Sequence, residues 1–119
     1  MKAKTRATAG SQDALVRRLT EAAAHHEHLR DVWSKSAVDL RESVAWVDAA
    51  PDRIAFYERK HPGRPWSDVR AYNQASIRHS EATAHEHTEM AQTIREALGL
   101  LSPNATASAT PNPEDSHGS

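Results

Sequence analysis

A chain of 119 residues without cysteine holds at most one domain, no disulfide framework, and no thiolate metal site or thiol nucleophile. Its 15 basic and 16 acidic side chains leave a formal charge of −1, which argues against a dedicated nucleic-acid binder with a basic face. No apolar run approaches the roughly 20 residues that span a bilayer. The opening MKAKTRATAGSQ is basic with no apolar stretch behind it, unlike a secretory signal, so the expected compartment is the cytoplasm.

Residues 1–10, with Lys2, Lys4 and Arg6, read as a flexible basic arm. Ser11 is a candidate N-cap and Asp13 places negative charge in a first helical turn. No Gly or Pro then intervenes before Pro51, and Leu15, Leu19, Ala22, His26, Leu29, Trp33, Ala37, Leu40, Val44 and Val47 recur by threes and fours. That spacing predicts one long amphipathic helix over about 12–49. The double step of four at Leu29, Trp33 and Ala37 departs from strict heptads and predicts a nearly straight helix. Pro51 suits the start of a short helix over 52–60, with Ile54, Phe56 and Tyr57 packing it down. His61-Pro62-Gly63-Arg64-Pro65 is a hard break. A second long helix follows over 65–98, with Val69, Tyr72, Ser76, Thr83, His87, Met90, Ile94 and Leu101 as its stripe and Gly99 as its terminator. Residues 102–119 are small, polar and proline-bearing, and read as a disordered tail.

The expected architecture is all-α: a long antiparallel two-helix hairpin over 11–101 with a short helix at the turn. If the helices turn near residues 48 and 68, facing residues have numbers adding to about 116, because each helix rises about 1.5 Å per residue. Trp33 then meets Thr83, and Ala22 meets Ile94, large against small. Val16, Val32, Val38, Trp46 and Ile77 fall beside or off this seam. Two helices alone bury little, so these residues predict cover by a second copy, as a homodimeric four-helix bundle, or by another protein.

Five of the six aromatics lie between residues 46 and 72, and 53–70 hold Arg53, Arg59, Lys60, Arg64 and Arg70 against Glu58 and Asp68. Trp, Tyr and Arg dominate binding hot spots, so Arg59, Lys60, Arg64 and Trp66 are the candidate partner-contact residues. The alternative is that the aromatics form a small core beneath the turn while the arginines lie over it with their charges in water.

The eight histidines are the compositional oddity, with His25, His26 and His28 in EAAAHHEH and His85 and His87 in EATAHEH. Imidazoles and carboxylates on facing helices can hold Zn, Ni or Cu ions. The spacing is Glu-x-x-x-His at Glu21–His25 and Glu81–His85 rather than the Glu-x-x-His of di-iron bundles, and neither helix carries His-x-x-x-His. The competing readings are solvated or seam histidines and a protonation switch.

No Gly-rich phosphate loop exists and two packed helices offer no deep pocket, so an enzyme is not expected. The hairpin outline resembles the small leaderless secreted helical-hairpin proteins that carry a Trp-x-Gly turn and pair as dimers, which would imply leaderless export. The resemblance covers the outline alone: this turn reads Pro62-Gly63-Arg64-Pro65-Trp66, and no tyrosine follows Tyr72. The expectation is a non-enzymatic protein acting by protein–protein interaction as an adaptor or regulatory subunit. The alternatives are a histidine-rich metal-binding bundle and a DNA-associated accessory protein using the basic arm and the tip.

Overall fold

A computed structural model describes residues 2–101, with side chains from Gly10 onward. Helices α1 (Lys2–Asp48), α2 (Pro51–Lys60) and α3 (Trp66–Leu101) follow one another, and no strand occurs among the described residues. Helix α1 begins about ten residues before the expected start, so residues 2–10 are helical in the same run as the rest of α1. Ser11 therefore lies inside the helix and caps nothing. The reason is local: Ala3, Ala7 and Ala9 are strong helix formers, and the single Gly10 costs only about 1 kcal/mol. Likewise α3 continues through Gly99, the expected terminator. The tail over 102–119 lies outside the described residues.

Contacts group the chain into two compact units. One spans His28–Thr88 and holds the turn; the other joins the segment up to Glu27 with the segment from Glu89. In each, a stretch of α1 packs against a stretch of α3.

In the turn-bearing unit the buried side chains are Ala37, Val44, Trp66, Ile77, Ser80 and Ala84. Buried and half-buried positions on α1 are 29, 30, 33, 36, 37, 40, 44 and 47, and on α3 66, 69, 70, 73, 76, 77, 80, 83, 84, 87 and 88. Within them 30, 33, 37, 40, 44, 47 and 66, 70, 73, 77, 80, 84, 87 alternate steps of three and four, the seam of an antiparallel heptad pair, and the half-buried 29, 36, 69, 76 and 83 flank it. The other unit buries Ala23 and Ala91, and positions 16, 19, 23, 26 and 91, 94, 98, 101 continue the same alternation. Leu29, on the expected stripe, and Arg30 beside it are both half-buried.

The expected stripe on α3 is corrected at three places. Tyr72 and Met90 are 73% and 47% exposed, whereas Ile77, placed off the seam, is buried. The phase of α3 follows Ser80, Ala84 and Ala91, whose short side chains let two helix backbones approach. Larger residues one position away are rotated out of the seam.

The antiparallel register agrees with expectation. Arg41 pairs with Glu81 and Asp48 with Arg70, while the Trp33 and His79 rings stack edge-to-face at 5.7 Å. In the other unit Arg95 forks onto Glu27 at 2.8 and 3.1 Å, and the Gln12 side-chain amide donates to the Leu101 carbonyl. These pairs scatter to both sides of the expected register, as side chains reaching along the axis do. Arg41, Asp48 and Glu81, and separately Glu27 and Arg95, each follow directly after the second apolar position of a heptad. Each unit therefore carries its cross-helix ion pairs on one flank. Half-exposed pairs of this kind contribute little stability and chiefly fix alignment.

A side chain too large for the seam should separate the helices. Ala37→Leu, at a site 1% exposed, is expected to cost about 1–3 kcal/mol in urea unfolding followed by circular dichroism. Val38→Leu, at the adjacent exposed site, should leave the midpoint unchanged; equal effects at both sites would contradict the seam.

Candidate protein-contact site at the turn

The turn is assembled from three short-range instructions. Ala50, before a proline, is extended (φ −142°, ψ 125°), and Pro51 then opens α2 where its missing N–H is no loss. Asp52 sits in the first turn of α2, with Arg59 and Lys60 in the last, so the charges complement the helix dipole at both ends. Gly63 adopts φ +80°, the left-handed conformation that returns the chain toward α3.

Trp66 holds these pieces together. Its indole is 4% exposed, and Nε1 donates to Asp48 Oδ1 at 2.6 Å across the end of α1. Its backbone N–H, one of the donors a helix start leaves unpaired, donates to Glu58 Oε2 on α2 at 2.7 Å. The Tyr57 ring stands edge-on to the indole at 5.2 Å, and His61 lies against Tyr57 at 4.3 Å. Arg70 completes the node, with Nε at 3.0 and 3.1 Å from the two Asp48 oxygens. The indole donor, and next the Arg70 guanidinium, hold the Asp48 carboxyl below its ordinary range. One tryptophan thus ties α1, α2 and α3 at a single point.

The surface above this node is aromatic and cationic. Phe56, 53% exposed, lies under Arg59 and Lys60, whose charged groups are 5.7 and 5.6 Å from the ring centroid. Arg53 stacks over Trp46 at 4.1 Å, and Nη1 donates to the Trp46 carbonyl at 2.7 Å. Cations over aromatic faces keep apolar rings exposed at modest cost. Helix α2 itself buries no residue, although it carries Ile54, Phe56 and Tyr57.

Of the four residues expected to make contacts, Arg59, Lys60 and Arg64 are exposed beside Phe56 or on the loop beyond it. Trp66 is not: its ring is the packed centre of the turn, because its donor satisfies Asp48 and its body fills the space under α2. Phe56 and Trp46 take its place on the surface. Phe56 with Arg59 and Lys60 was visible as an i,i+3 and i,i+4 set. Arg53 over Trp46 crosses the α1–α2 break and had no sequence signal.

The histidine clusters divide differently. His25 and His26 are 5.9 Å apart between ring centroids; His25, His28 and His85 are exposed, and His26 and His87 are half-buried. Among the described residues no group of three or more His, Asp or Glu is arranged to hold a metal ion. The side chains of Lys2, Lys4 and Arg6 lie outside the described residues. An open groove of about 470 Å³ runs beside Val44 and Ile77, but its carboxylates Asp48 and Glu81 are each engaged by an arginine. No helix of the described residues is long and apolar enough to cross a membrane.

Because folding lowers the Asp48 pKa, its ionised form stabilises the turn above the unfolded carboxyl range, and that contribution disappears as pH falls through the folded value. Wild type should therefore melt above Asp48→Asn near about pH 7 and lose that advantage toward about pH 2. A pH-independent gap would show that the Asp48 charge is not what holds Trp66. Removing the ring by Trp66→Ala should cost about 3–5 kcal/mol in equilibrium unfolding.

No family model, curated protein or solved structure matches the chain.

Proposed function

We propose that this chain is a non-enzymatic binding protein that engages another protein through the aromatic, cationic surface of its turn. The observation that supports this reading most is Phe56, exposed beneath Arg59 and Lys60 on a helix that buries nothing. Tyr57 and Glu58 tie this ten-residue helix to Trp66, and Phe56, Arg59 and Lys60 are left on its exposed face. Rings flanked by arginine are the chemistry of interface hot spots. The partner surface that fits is acidic with an apolar recess: Arg53, Arg59, Lys60 and Arg64 set the charge and steer approach, and Phe56 supplies the buried contact.

The test uses the full chain as bait in the source cells, compared with Phe56→Ala and with the charge reversal Arg59→Glu/Lys60→Glu. Every substituted site is exposed or on the surface helix, so circular dichroism should be unchanged. The expected result is one recovered protein whose measured affinity falls tenfold or more in both variants, with binding to wild type weakening as salt rises. A partner bound equally by all three chains would overturn the assignment to this surface.

A further inference from the structure

Along its exposed face α2 carries its charges in order. Asp52, Phe56 and Lys60 follow one another by fours, Arg59 stands beside Lys60, and all four are exposed. The face thus runs from negative in the first turn, through one apolar ring, to positive in the last. Beside its negative end lies Trp46, 60% exposed, under the Arg53 guanidinium at 4.1 Å. The cations here differ from those along the seam. Arg41, Arg70 and Arg95 each pair with a carboxylate of the facing helix. Arg53, Arg59, Lys60 and Arg64 pair with no carboxylate among the described residues. The Glu58 carboxylate is engaged elsewhere, accepting the Trp66 backbone N–H at 2.7 Å. Four cations therefore accompany the exposed rings, and their charge is left to be matched from outside.

We infer, resting on the reading of the turn as a protein-contact surface, that its occupant is an amphipathic helix with acidic first turns, lying antiparallel to α2 with an apolar side chain on Phe56. The backbone of α2 argues for a helix. A helix closes its own hydrogen bonds, whereas an extended segment needs a strand edge, and α2 offers none. Helix side chains also recur by threes and fours, the spacing of Asp52, Phe56 and Lys60, so the ridges of the two elements interlock. Charge sets the direction. Acidic residues favour the first turn of a helix and basic residues its last. A helix antiparallel to α2 therefore brings its acidic start to Arg59 and Lys60 and a basic end to Asp52, while a parallel one sets cation on cation. Charge also separates a foreign helix from a second copy of this chain. Antiparallel pairing of two α2 faces would join Asp52 to Lys60, but it would bring Arg53, Arg59, Lys60 and Arg64 of each copy against the same four of the other, with Asp52 the one exposed carboxylate of the face to oppose them.

The probe is a stapled synthetic helix with glutamates in its first turns, leucines along one face and lysines in its last turn, carrying a spin label at one end or the other. Isotope-labelled full chain is titrated with it and followed by amide chemical shifts. Shifts should centre on α2 and Trp46. A label at the start of the probe should broaden the amides of Arg59 to Arg64, and a label at its end those of Asp52 and Trp46. Phe56→Ala and Arg59→Glu/Lys60→Glu should each weaken binding tenfold or more, as should glutamines in place of the probe's glutamates. Broadening in the reverse order, undiminished binding of the glutamine probe, or no binding at all would overturn the inference. The protein-contact reading would survive those results if the partner recovered with the full chain still depends on Phe56. Shifts away from α2, or indifference to Phe56→Ala, would overturn both. Phe56-dependent retention on phosphatidylserine vesicles, with no binding of the probe, would assign the surface to a membrane instead. Sedimentation of the chain as a dimer lost on Arg59→Glu/Lys60→Glu would assign it to a second copy.

Discussion

The close approach of α1 and α3 across alanine and serine is the constraint from which the rest of the structure follows. Ala37, Ser80 and Ala84 in one unit, beside Val44 and Ile77, and Ala23 and Ala91 in the other, are nearly inaccessible. A seam of small side chains packs well but removes little apolar area from water. It also fixes the rotation of both helices, and that rotation carries Trp46, Tyr72 and Met90 out into solvent. Exposure of large residues here is the geometric complement of a tight seam, not a sign of loose packing.

Where the seam ends, the turn needs a different solution, and Trp66 supplies it. A buried indole does what a row of alanines cannot: it fills the volume under a crossing helix and offers one directed donor. Asp48 receives that donor together with the Arg70 fork, while Glu58 accepts the first backbone donor of α3. One backbone donor that the start of α3 would leave unpaired is thus satisfied by a side chain of a neighbouring element. The aromatic residues of this region divide by role, Trp66 and Tyr57 inward, Phe56 and Trp46 outward.

Much of this was legible in the sequence. Pro51, the His61–Pro65 break and the apolar spacing of α1 encode local backbone choices, and the antiparallel alignment follows from rise per residue alone. The phase of α3 was less legible, because the stripe was drawn through its bulkiest residues whereas packing selected its smallest. Tyr72 and Ile77 exchanged places for that reason. Trp66 was misplaced because composition places tryptophan equally well in a core and at an interface; only its distance to Asp48, eighteen positions away in the chain, separates the two. The recurrence of Glu-Ala-x-Ala-His at residues 21 and 81 is a pattern in the sequence with no counterpart in a cluster of ligands among the described residues.

The order of the charges along the flank has a further consequence for alignment. Within the turn-bearing unit, helix α1 contributes the cation to the Arg41–Glu81 pair and the anion to the Asp48–Arg70 pair. Sliding one helix a heptad along the other brings Asp48 to Glu81. That slip sets like charges face to face, while the small-residue layers, nearly interchangeable among themselves, would hardly resist it. Alternating polarity thus proofreads a repeat whose small-residue interior is otherwise almost degenerate.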